Sequence, residues 1–287
     1  MHLTADRKGN ITEENSLQDR FLQVLYGSRI GRMLLKPMVS PVVSRVGGKL
    51  LDTGVSRILI RPFIRSHSID MTDYEDRRFT SYNDFFKRKL ALGARRIDET
   101  PGTLISPCDS RLSVYKIGEN TSFCIKDTFY TVQSLLRDQK LAEKYAGGYI
   151  WVFRLCVDDY HRYVYADQGM VSGSRKIPGV FHTVNPAAND QFPIYKENTR
   201  EYCLLRSENF GTILQMEVGA LLVGKIENRP GKRKVGRGEE KGNFAFGGST
   251  VILMTQAGKV IPDEDILRNS FHGMETRVKL GEHVGRK

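Results

Sequence analysis

Residues 243–254, NFAFGGSTVILM, place two glycines and a serine inside a strand-like apolar run. A serine hydroxyl is a weak nucleophile unless a nearby base takes its proton. Glycine before the serine leaves the preceding carbonyl open to approach and tolerates strained backbone. Ser249 could therefore attack the carbonyl carbon of Gly248 and convert that peptide bond into an ester. Taken alone, the tetrapeptide favours the simpler interpretation of a β-bulge or tight turn.

Elimination from such an ester would break the chain in two. The serine remnant would become dehydroalanine and then hydrolyse to a pyruvoyl group. This group is a protein-derived carbonyl that can replace pyridoxal phosphate as an electron sink. The chemistry predicts two chains, residues 1–248 and 249–287, and the pyruvoyl group would begin the second.

Other stretches of the chain resemble the phosphatidylserine decarboxylases, in which a Gly-Ser-Thr motif is the self-cleavage site. GEEKGNFAFGGSTVIL (238–253) is similar to that site. Five further motifs occur in the family's order: FTSYNDFFKRKLALGARRID (79–98), SPCDSRL (106–112), DDYHRY (158–163), GVFHTVNP (179–186) and MEVGALLVGKIE (216–227). The resemblance runs from about residue 65 to the end, and several motifs in one order are not a chance match.

The resemblance implies a Ser-His-Asp arrangement for self-cleavage. Ser249 would be both the nucleophile and the pyruvoyl precursor. His161 would take its proton, and Asp109 would orient that histidine. An Asx-turn after Pro107 is the alternative interpretation of Asp109. Ser110 stands where the family more often has glycine, and we expect a turn to form there all the same.

The histidine motif departs from the family pattern. Many members carry two histidines three residues apart, and the second is usually assigned to the self-cleavage triad. Here Val164 occupies the second position. Either His161 serves both self-cleavage and decarboxylation, or another histidine covers one role, for which His182 is the candidate. A hydrogen-bonded structural histidine is the alternative for both.

The reaction implied by the resemblance converts phosphatidylserine to phosphatidylethanolamine and CO₂ through a pyruvoyl Schiff base. His161 would return a proton to the α-carbon as general acid. The cofactor would be the pyruvoyl group made from Ser249, with no metal and no pyridoxal phosphate. The partners would be phosphatidylserine in an anionic membrane and the chain's own alpha and beta fragments. The oligomeric state is left open, a homodimer included.

The elements that must position these residues predict an α+β fold. From residue 148 onward, short runs alternate apolar and polar residues between Gly, Pro and Asn, which is typical of largely antiparallel sheets. Helices are predicted within 79–98 and over 131–145. The charged stretch 230–243 is interpreted as a solvated connection, with a contact to phosphate groups as its alternative. We therefore predict a decarboxylase domain over 76–287 and a helical section over 1–75.

The N-terminal section is apolar and basic. Leu17, Phe21, Val24 and Leu25 recur at helical spacing. Between residues 20 and 65 the only acid is Asp52, against nine basic residues: Arg20, Arg29, Arg32, Lys36, Arg45, Lys49, Arg57, Arg61 and Arg65. Basic amphipathic helices of this kind lie flat on anionic membranes. A helical bundle packed on its own core is the equal alternative.

Composition supports a globular chain with an anionic partner. The formal net charge is +11, and hydrophobic residues make up 40% of the sequence. Basic patches interleaved with aromatic residues are missing, which argues against nucleic acid as the partner. The four cysteines, Cys108, Cys124, Cys156 and Cys203, form no C-x-x-C pair and are interpreted as reduced.

The sequence thus predicts a peripheral enzyme on the cytoplasmic face of a membrane, the bacterial cell membrane. Two alternatives stay open. One is a pyruvoyl-dependent decarboxylase of another amino acid or amine lipid. The other is a non-catalytic relative that binds anionic membranes and keeps an intact chain.

Overall fold

The structure, a computed structural model, describes residues 2–14, 41–125, 128–180, 194–219, 226–229, 231–245 and 249–287. The α-helices are α1 (Pro41–Leu51), α2 (Ile60–Ser66), α3 (Tyr82–Phe86), α4 (Val132–Leu136), α5 (Gln139–Glu143), α6 (Ile194–Glu197) and α7 (Glu264–Phe271), and 3₁₀ turns cover Gly54–Leu59 and Met71–Asp73. The strands are β1 (His2–Ala5), β2 (Ile11–Glu14), β3 (Thr103–Ile105), β4 (Ser110–Lys116), β5 (Ser122–Ile125), β6 (Thr128–Thr131), β7 (Tyr149–Leu155), β8 (Arg162–Val164), β9 (Gly169–Val171), β10 (Arg175–Ile177), β11 (Arg200–Ser207), β12 (Gly211–Val218), β13 (Ile226–Asn228), β14 (Arg233–Val235), β15 (Glu240–Phe244), β16 (Ser249–Thr255), β17 (Ile261–Pro262), β18 (Glu275–Val278) and β19 (His283–Arg286).

One large sheet organises the chain. Its strands follow the order β14-β9-β11-β12-β16-β7-β4-β18-β1-β2, and β10 pairs with β11 at its side. Among the described strands, β1 and β18 are parallel and the other neighbours in this sheet are antiparallel. The predicted α+β fold with largely antiparallel sheets is confirmed.

The strand that begins at Ser249 lies in the middle of this sheet. β16 pairs with β12 on one side and with β7 on the other, and all of its residues are buried. The continuous apolar run Val251–Met254 suits a strand that is covered on both faces, because such a strand has no solvent side to make polar. The predicted cleavage motif is therefore attached to a strand that is fully paired along both edges.

A second, smaller sheet packs over one face of the large one. It has the order β13-β15-β8. Gln215 in β12 donates from Nε2 to the carbonyl oxygen of Val164 in β8, 3.0 Å away. Lys241 in β15 forms an ion pair with Glu217 in β12. Since Gln215 and Glu217 are two residues apart in one strand, they lie on the same face, which is the face that this covering sheet occupies.

The interpretation of residues 230–243 as a solvated connection is wrong for much of its length. This stretch contains β14 and most of β15, and Lys241 is 1% exposed. Its charges are paired, as Arg233 with Glu239, so that a highly charged sequence still forms strands. Charge density alone does not separate a loop from a strand whose charges find partners.

The helix predicted over 131–145 is present as two short helices, α4 and α5. Arg137 has a left-handed backbone with φ of 51°, which an α-helix cannot continue. The Asp138 side chain then accepts a hydrogen bond from the backbone N–H of Leu141 and begins the second helix. The helix predicted in the motif 79–98 is confirmed as α3, with Ser81 as its N-terminal cap.

Helices α1 and α2 pack close to α3. Ile60, Tyr82, Phe85 and Phe86 form a small buried cluster separate from the main core of the sheet. Within the described part of the chain, no helix is long and apolar enough to cross a membrane. The helix predicted around Leu17 to Leu25 lies outside the described residues.

None of the four cysteines, all of which are described, forms a disulfide. Cys108 and Cys203 are buried, whereas Cys124 and Cys156 are partly exposed. Burial raises the pKa of the Cys203 thiol to about 11 and raises the pKa of Cys108 well above its usual value, because the thiolate loses its hydration. Neither buried thiol is suited to act as a nucleophile.

We expect Cys108 and Cys203 to resist alkylation in the folded protein. At pH 8 a thiol of pKa 11 is ionised in only about one molecule in a thousand, and burial also blocks the reagent. Iodoacetamide followed by peptide mass spectrometry should label Cys124 and Cys156 first. All four cysteines should react after denaturation, which serves as the control. Equal labelling rates for Cys108, Cys203 and Cys124 in the native protein would contradict this packing.

Candidate active site

Ser249 is the first residue of β16 and lies opposite Leu155 in β7. Its side chain is fully buried. The Oγ atom forms no hydrogen bond with any other described residue. Buried hydroxyls in proteins nearly always have a hydrogen-bond partner, and one without a partner calls for a functional reason. Residues 246–248, including Gly248 of the predicted cleavage site, lie outside the described part.

His161 lies in the turn that joins β7 to β8. Its ring is fully buried, and Nδ1 is 2.9 Å from the carbonyl oxygen of Asp159. A carbonyl oxygen can only accept a hydrogen bond, so Nδ1 carries the proton in this contact. Nε2 of the neutral ring is then the nitrogen with a free electron pair. This is the tautomer that a base needs if it is to take a proton at Nε2.

The turn that carries His161 is held by the side chain of Asp159. Its Oδ2 accepts a hydrogen bond from the backbone N–H of Cys156 at 2.7 Å and forms an ion pair with Arg111 in β4 at 2.8 Å. Burial raises the pKa of Asp159 to about 6, although Arg111 acts in the opposite direction. The carboxylate thus fixes the backbone whose carbonyl oxygen orients the histidine.

The motif 79–98 braces the same turn from the other side. The buried Arg88 donates from Nη2 to the carbonyl oxygens of Asp158 and Asp159, at 3.0 and 3.2 Å. Phe86 lies against the His161 ring, with the ring centroids 4.1 Å apart. The Arg88 hydrogen bonds fix the backbone of the turn, and the Phe86 ring limits the movement of the imidazole.

Asp109 directly precedes β4 and is also buried. Arg95 donates to both of its carboxylate oxygens, with Nη2 2.6 Å from Oδ2. The backbone N–H of Leu280 donates to Oδ1 at 2.8 Å, and the Lys279 ammonium is 3.7 Å from Oδ2. The Asp109 carboxylate is therefore anchored by an arginine, a lysine and a backbone amide.

Val164 packs in an apolar cluster with Ile105, Tyr160 and Leu280. Its backbone N–H donates to the carbonyl oxygen of Pro107, two residues before Asp109. The position where many relatives carry a second histidine therefore adjoins the segment that holds Asp109, and in this chain it is apolar. His182 lies outside the described residues.

The site also contains residues that the sequence did not single out. Asp159, Arg111, Arg88 and Arg95 stand inside the quoted motifs, but their roles depend on contacts between distant parts of the chain. Asp159 and Arg111 are 48 positions apart, and Arg88 and Asp159 are 71 apart. The motifs that contain these four residues are rich in other polar and charged residues, so no local signal marked these particular charges as buried and paired.

The chain was compared with known proteins. The sequence profile of phosphatidylserine decarboxylase matches residues 82–286. The phosphatidylserine decarboxylase proenzyme 2 of Clostridium acetobutylicum is 43% identical over 273 residues, which cover 95% of this chain and 94% of the relative. A proenzyme from Ruminiclostridium cellulolyticum is 40% identical, with 93% and 91% covered, and one from Clostridium tetani is 39% identical, with 94% and 92% covered. On this similarity, which spans nearly the whole chain, the protein belongs to the phosphatidylserine decarboxylase family.

Proposed function

We propose that this chain is a proenzyme that cuts itself between Gly248 and Ser249 and then decarboxylates phosphatidylserine to phosphatidylethanolamine. The observation that carries the proposal is the Ser249 hydroxyl, which is fully buried and has no hydrogen-bond partner among the described residues. It stands directly after the glycine pair, in a chain whose relatives are named as proenzymes of this activity.

The residues of the site have distinct proposed roles. The Ser249 Oγ attacks the Gly248 carbonyl carbon, and Nε2 of His161 takes the hydroxyl proton. The peptide C–N bond then breaks, and the proton passes to the Ser249 nitrogen, which leaves as a free amine. The Asp159 carbonyl oxygen accepts the hydrogen bond from Nδ1 and so favours the neutral tautomer in which Nε2 carries no hydrogen. Asp109 is proposed as the carboxylate of the arrangement, although its hydrogen bonds in this structure come from Arg95 and Leu280, and the Asp159 carbonyl oxygen is what binds Nδ1 of His161. His182 remains the second candidate base.

The cofactor is proposed to come from the chain itself. The Ser249 hydroxyl is buried and has no hydrogen-bond partner among the described residues, which fits a residue that is consumed in making a pyruvoyl group. Once formed, that group supplies an electron-accepting carbonyl for the decarboxylation of an amine-bearing acid. We propose that His161 holds and returns a proton. The burial of Ser249 supports a site with limited access of water.

We further propose that residues 46–66 form a patch that binds the cytoplasmic face of the membrane. Val55 and Ile58 are 75% and 73% exposed. The same segment lines a cavity of about 620 Å³, whose lining is mainly apolar and includes Leu50, Leu59 and Phe63. The segment also carries exposed basic residues, namely Lys49, Arg57, Arg61 and Arg65. Exposed apolar side chains in a segment with exposed basic ones match an anionic bilayer, in which phosphatidylserine is itself the anion.

The self-cleavage is tested by intact mass spectrometry of the purified protein. We expect two chains, 1–248 and 249–287, with a pyruvoyl group in place of Ser249 that blocks Edman sequencing of the second chain. Ser249→Ala should leave the chain uncut and inactive. His161→Ala should also block cleavage, because Ser249 would lose its base. An uncut wild-type chain with an ordinary serine would refute the proposal, and normal processing of His161→Ala would shift the base to His182.

The membrane patch is tested by vesicle sedimentation. Val55→Asp/Ile58→Asp should weaken binding to phosphatidylserine-containing vesicles by at least about tenfold, since each apolar side chain contributes on the order of 1.5–3 kcal/mol when buried. Phe271→Asp is the matched control, because it changes another exposed apolar side chain, 87% exposed, outside the patch. Equal losses in both variants, or none in the double variant, would remove the patch from the proposal. Decarboxylation of vesicle phosphatidylserine, but not of free serine, should accompany binding.

A further inference from the structure

A second group of buried charges lies between the two sheets, and the roles above leave it without a function. Glu217 in β12 and Lys241 in β15 form an ion pair in which neither side chain is more than 1% exposed. Asn228 joins them, since its Nδ2 donates to Glu217 at 2.9 Å and its Oδ1 lies 3.2 Å from the Lys241 ammonium. Asn228 also accepts a hydrogen bond from the hydroxyl of Tyr163.

Glu217 lies next to Ser249 on the face that the covering sheet occupies. In the pairing of β12 with β16, Glu217 is directly opposite Val251. Ser249 is two residues from Val251 and so projects to the same face. Diagonal neighbours of this kind are about 7–8 Å apart, a distance that a long side chain can bridge. The register therefore makes Glu217 a diagonal neighbour of Ser249 on this face.

One carboxylate oxygen of Glu217 is held and the other is not. Oε2 accepts hydrogen bonds from Lys241 and Asn228. Oε1 is equally buried and forms no hydrogen bond with any described residue. A buried carboxylate oxygen without a partner is costly, so its retention calls for an explanation other than packing. A carboxylate oxygen that accepts no hydrogen bond has its lone pairs available to take a proton, as a base requires.

The backbone of the covering sheet is distorted at Lys241. The pairing of β15 with β8 changes register between Glu240 and Gly242, so that Lys241 is an extra residue in a β-bulge. Bulges next to active sites often redirect a side chain. Here the bulge places the ammonium against Glu217. Gly242 permits the close approach of β15 to β13 at this point, since a Cβ there would lie 2.4 Å from the carbonyl oxygen of Glu227.

Self-cleavage requires the removal of two protons, and the role proposed for His161 accounts for only one of them. The first proton leaves the Ser249 hydroxyl, and the second leaves its α-carbon when the ester is eliminated. We propose that Glu217 is the base for the second, with Lys241 and Asn228 holding its carboxylate in place. This inference rests on the proposed self-cleavage at Ser249.

The elimination step balances without any added reagent. Oε1 of Glu217 takes the α-hydrogen of Ser249 as a proton. The electrons of that C–H bond form the Cα=Cβ double bond, and the Cβ–Oγ bond breaks. Its electron pair leaves with the Gly248 carboxylate, so that the two chains separate. Glu217 finishes as the neutral acid, and residue 249 finishes as dehydroalanine.

The electrostatics of the pair support this assignment. Burial raises the pKa of Glu217 above its usual value even with Lys241 beside it, which makes the carboxylate a stronger base than one in water. Burial alone would lower the pKa of Lys241, but the Glu217 carboxylate raises it above its usual value and keeps the ammonium charged. The ammonium in turn holds the Glu217 carboxylate through their ion pair.

The test separates ester formation from elimination. In Glu217→Gln, Ser249 still attacks Gly248, but the elimination should be at least about 100-fold slower, the usual minimum for losing a general base. The purified variant should run as one uncut chain. Hydroxylamine at neutral pH cleaves esters, and it should split this variant into 1–248, ending in a hydroxamate, and 249–287, beginning with an intact serine. The chain has no Asn-Gly bond, the other linkage that hydroxylamine attacks.

Two further variants test whether the effect of Glu217→Gln is merely structural. Glu201→Gln is the matched control, because Glu201 also binds Asn228 but lies in β11, one strand further from Ser249. It should cleave at the wild-type rate. Glu217→Leu/Lys241→Met removes both charges together and leaves no unpaired buried ion, so it should fold with a wild-type circular dichroism spectrum. It should nevertheless stay uncut and hydroxylamine-sensitive.

The outcomes are distinct. Normal cleavage of Glu217→Gln or of the folded double variant overturns the role of Glu217 and leaves the proposed function intact. An uncut Glu217→Gln that resists hydroxylamine also overturns it, since the block would then precede the ester. Cleavage of Ser249→Ala at the same bond would instead refute the proposed function itself.

Discussion

The pairing of β16 along both edges is the constraint on which the rest of the structure depends. β16 is hydrogen-bonded to β12 and to β7, and its side chains are buried on both faces. Ser249 is thus held at the start of a rigid strand, with its hydroxyl in a dry interior. If the chain is cut before Ser249, as we propose, this strand and the α7, β18 and β19 that follow keep the short fragment inside the fold. Self-cleavage then requires no later assembly.

A second constraint gathers the sequence motifs around one turn. The Asp159 carboxylate joins Arg111 to the N–H of Cys156, and Arg88 binds two carbonyl oxygens of the same turn. Both arginines are almost completely enclosed. Three motifs that are separated in the chain therefore meet at His161. The charged residues inside them hold the imidazole in one orientation, since each charge needs its partner once it is buried.

The layer between the two sheets is unusually polar for a protein interior. Gln215, Glu217, Lys241 and Ser249 are all at most 1% exposed. An apolar layer would hold the two sheets together without this cost, because each buried polar group that lacks a partner costs free energy. The polar groups cluster on the face of β12 and β16 that bears Ser249, and this distribution suits proton transfer better than it suits packing. The N-terminal helices, by contrast, leave apolar side chains in solvent, as a surface that meets a bilayer would.

The sequence by itself determined the family, the type of fold and the motif at which we propose cleavage. Gly-Gly-Ser-Thr followed by an apolar run predicts a strand that begins at a reactive serine, and alternating apolar and polar residues predict antiparallel sheets. Both signals are local. The tertiary structure decided which charges meet. The stretch 230–243 looked solvated, yet a single bulge turns Lys241 inward onto Glu217. Likewise, Asp109 is paired with Arg95, and Asp159 supports His161 through its backbone. Such contacts depend on strand register between residues far apart in the chain, and no local pattern encodes that register.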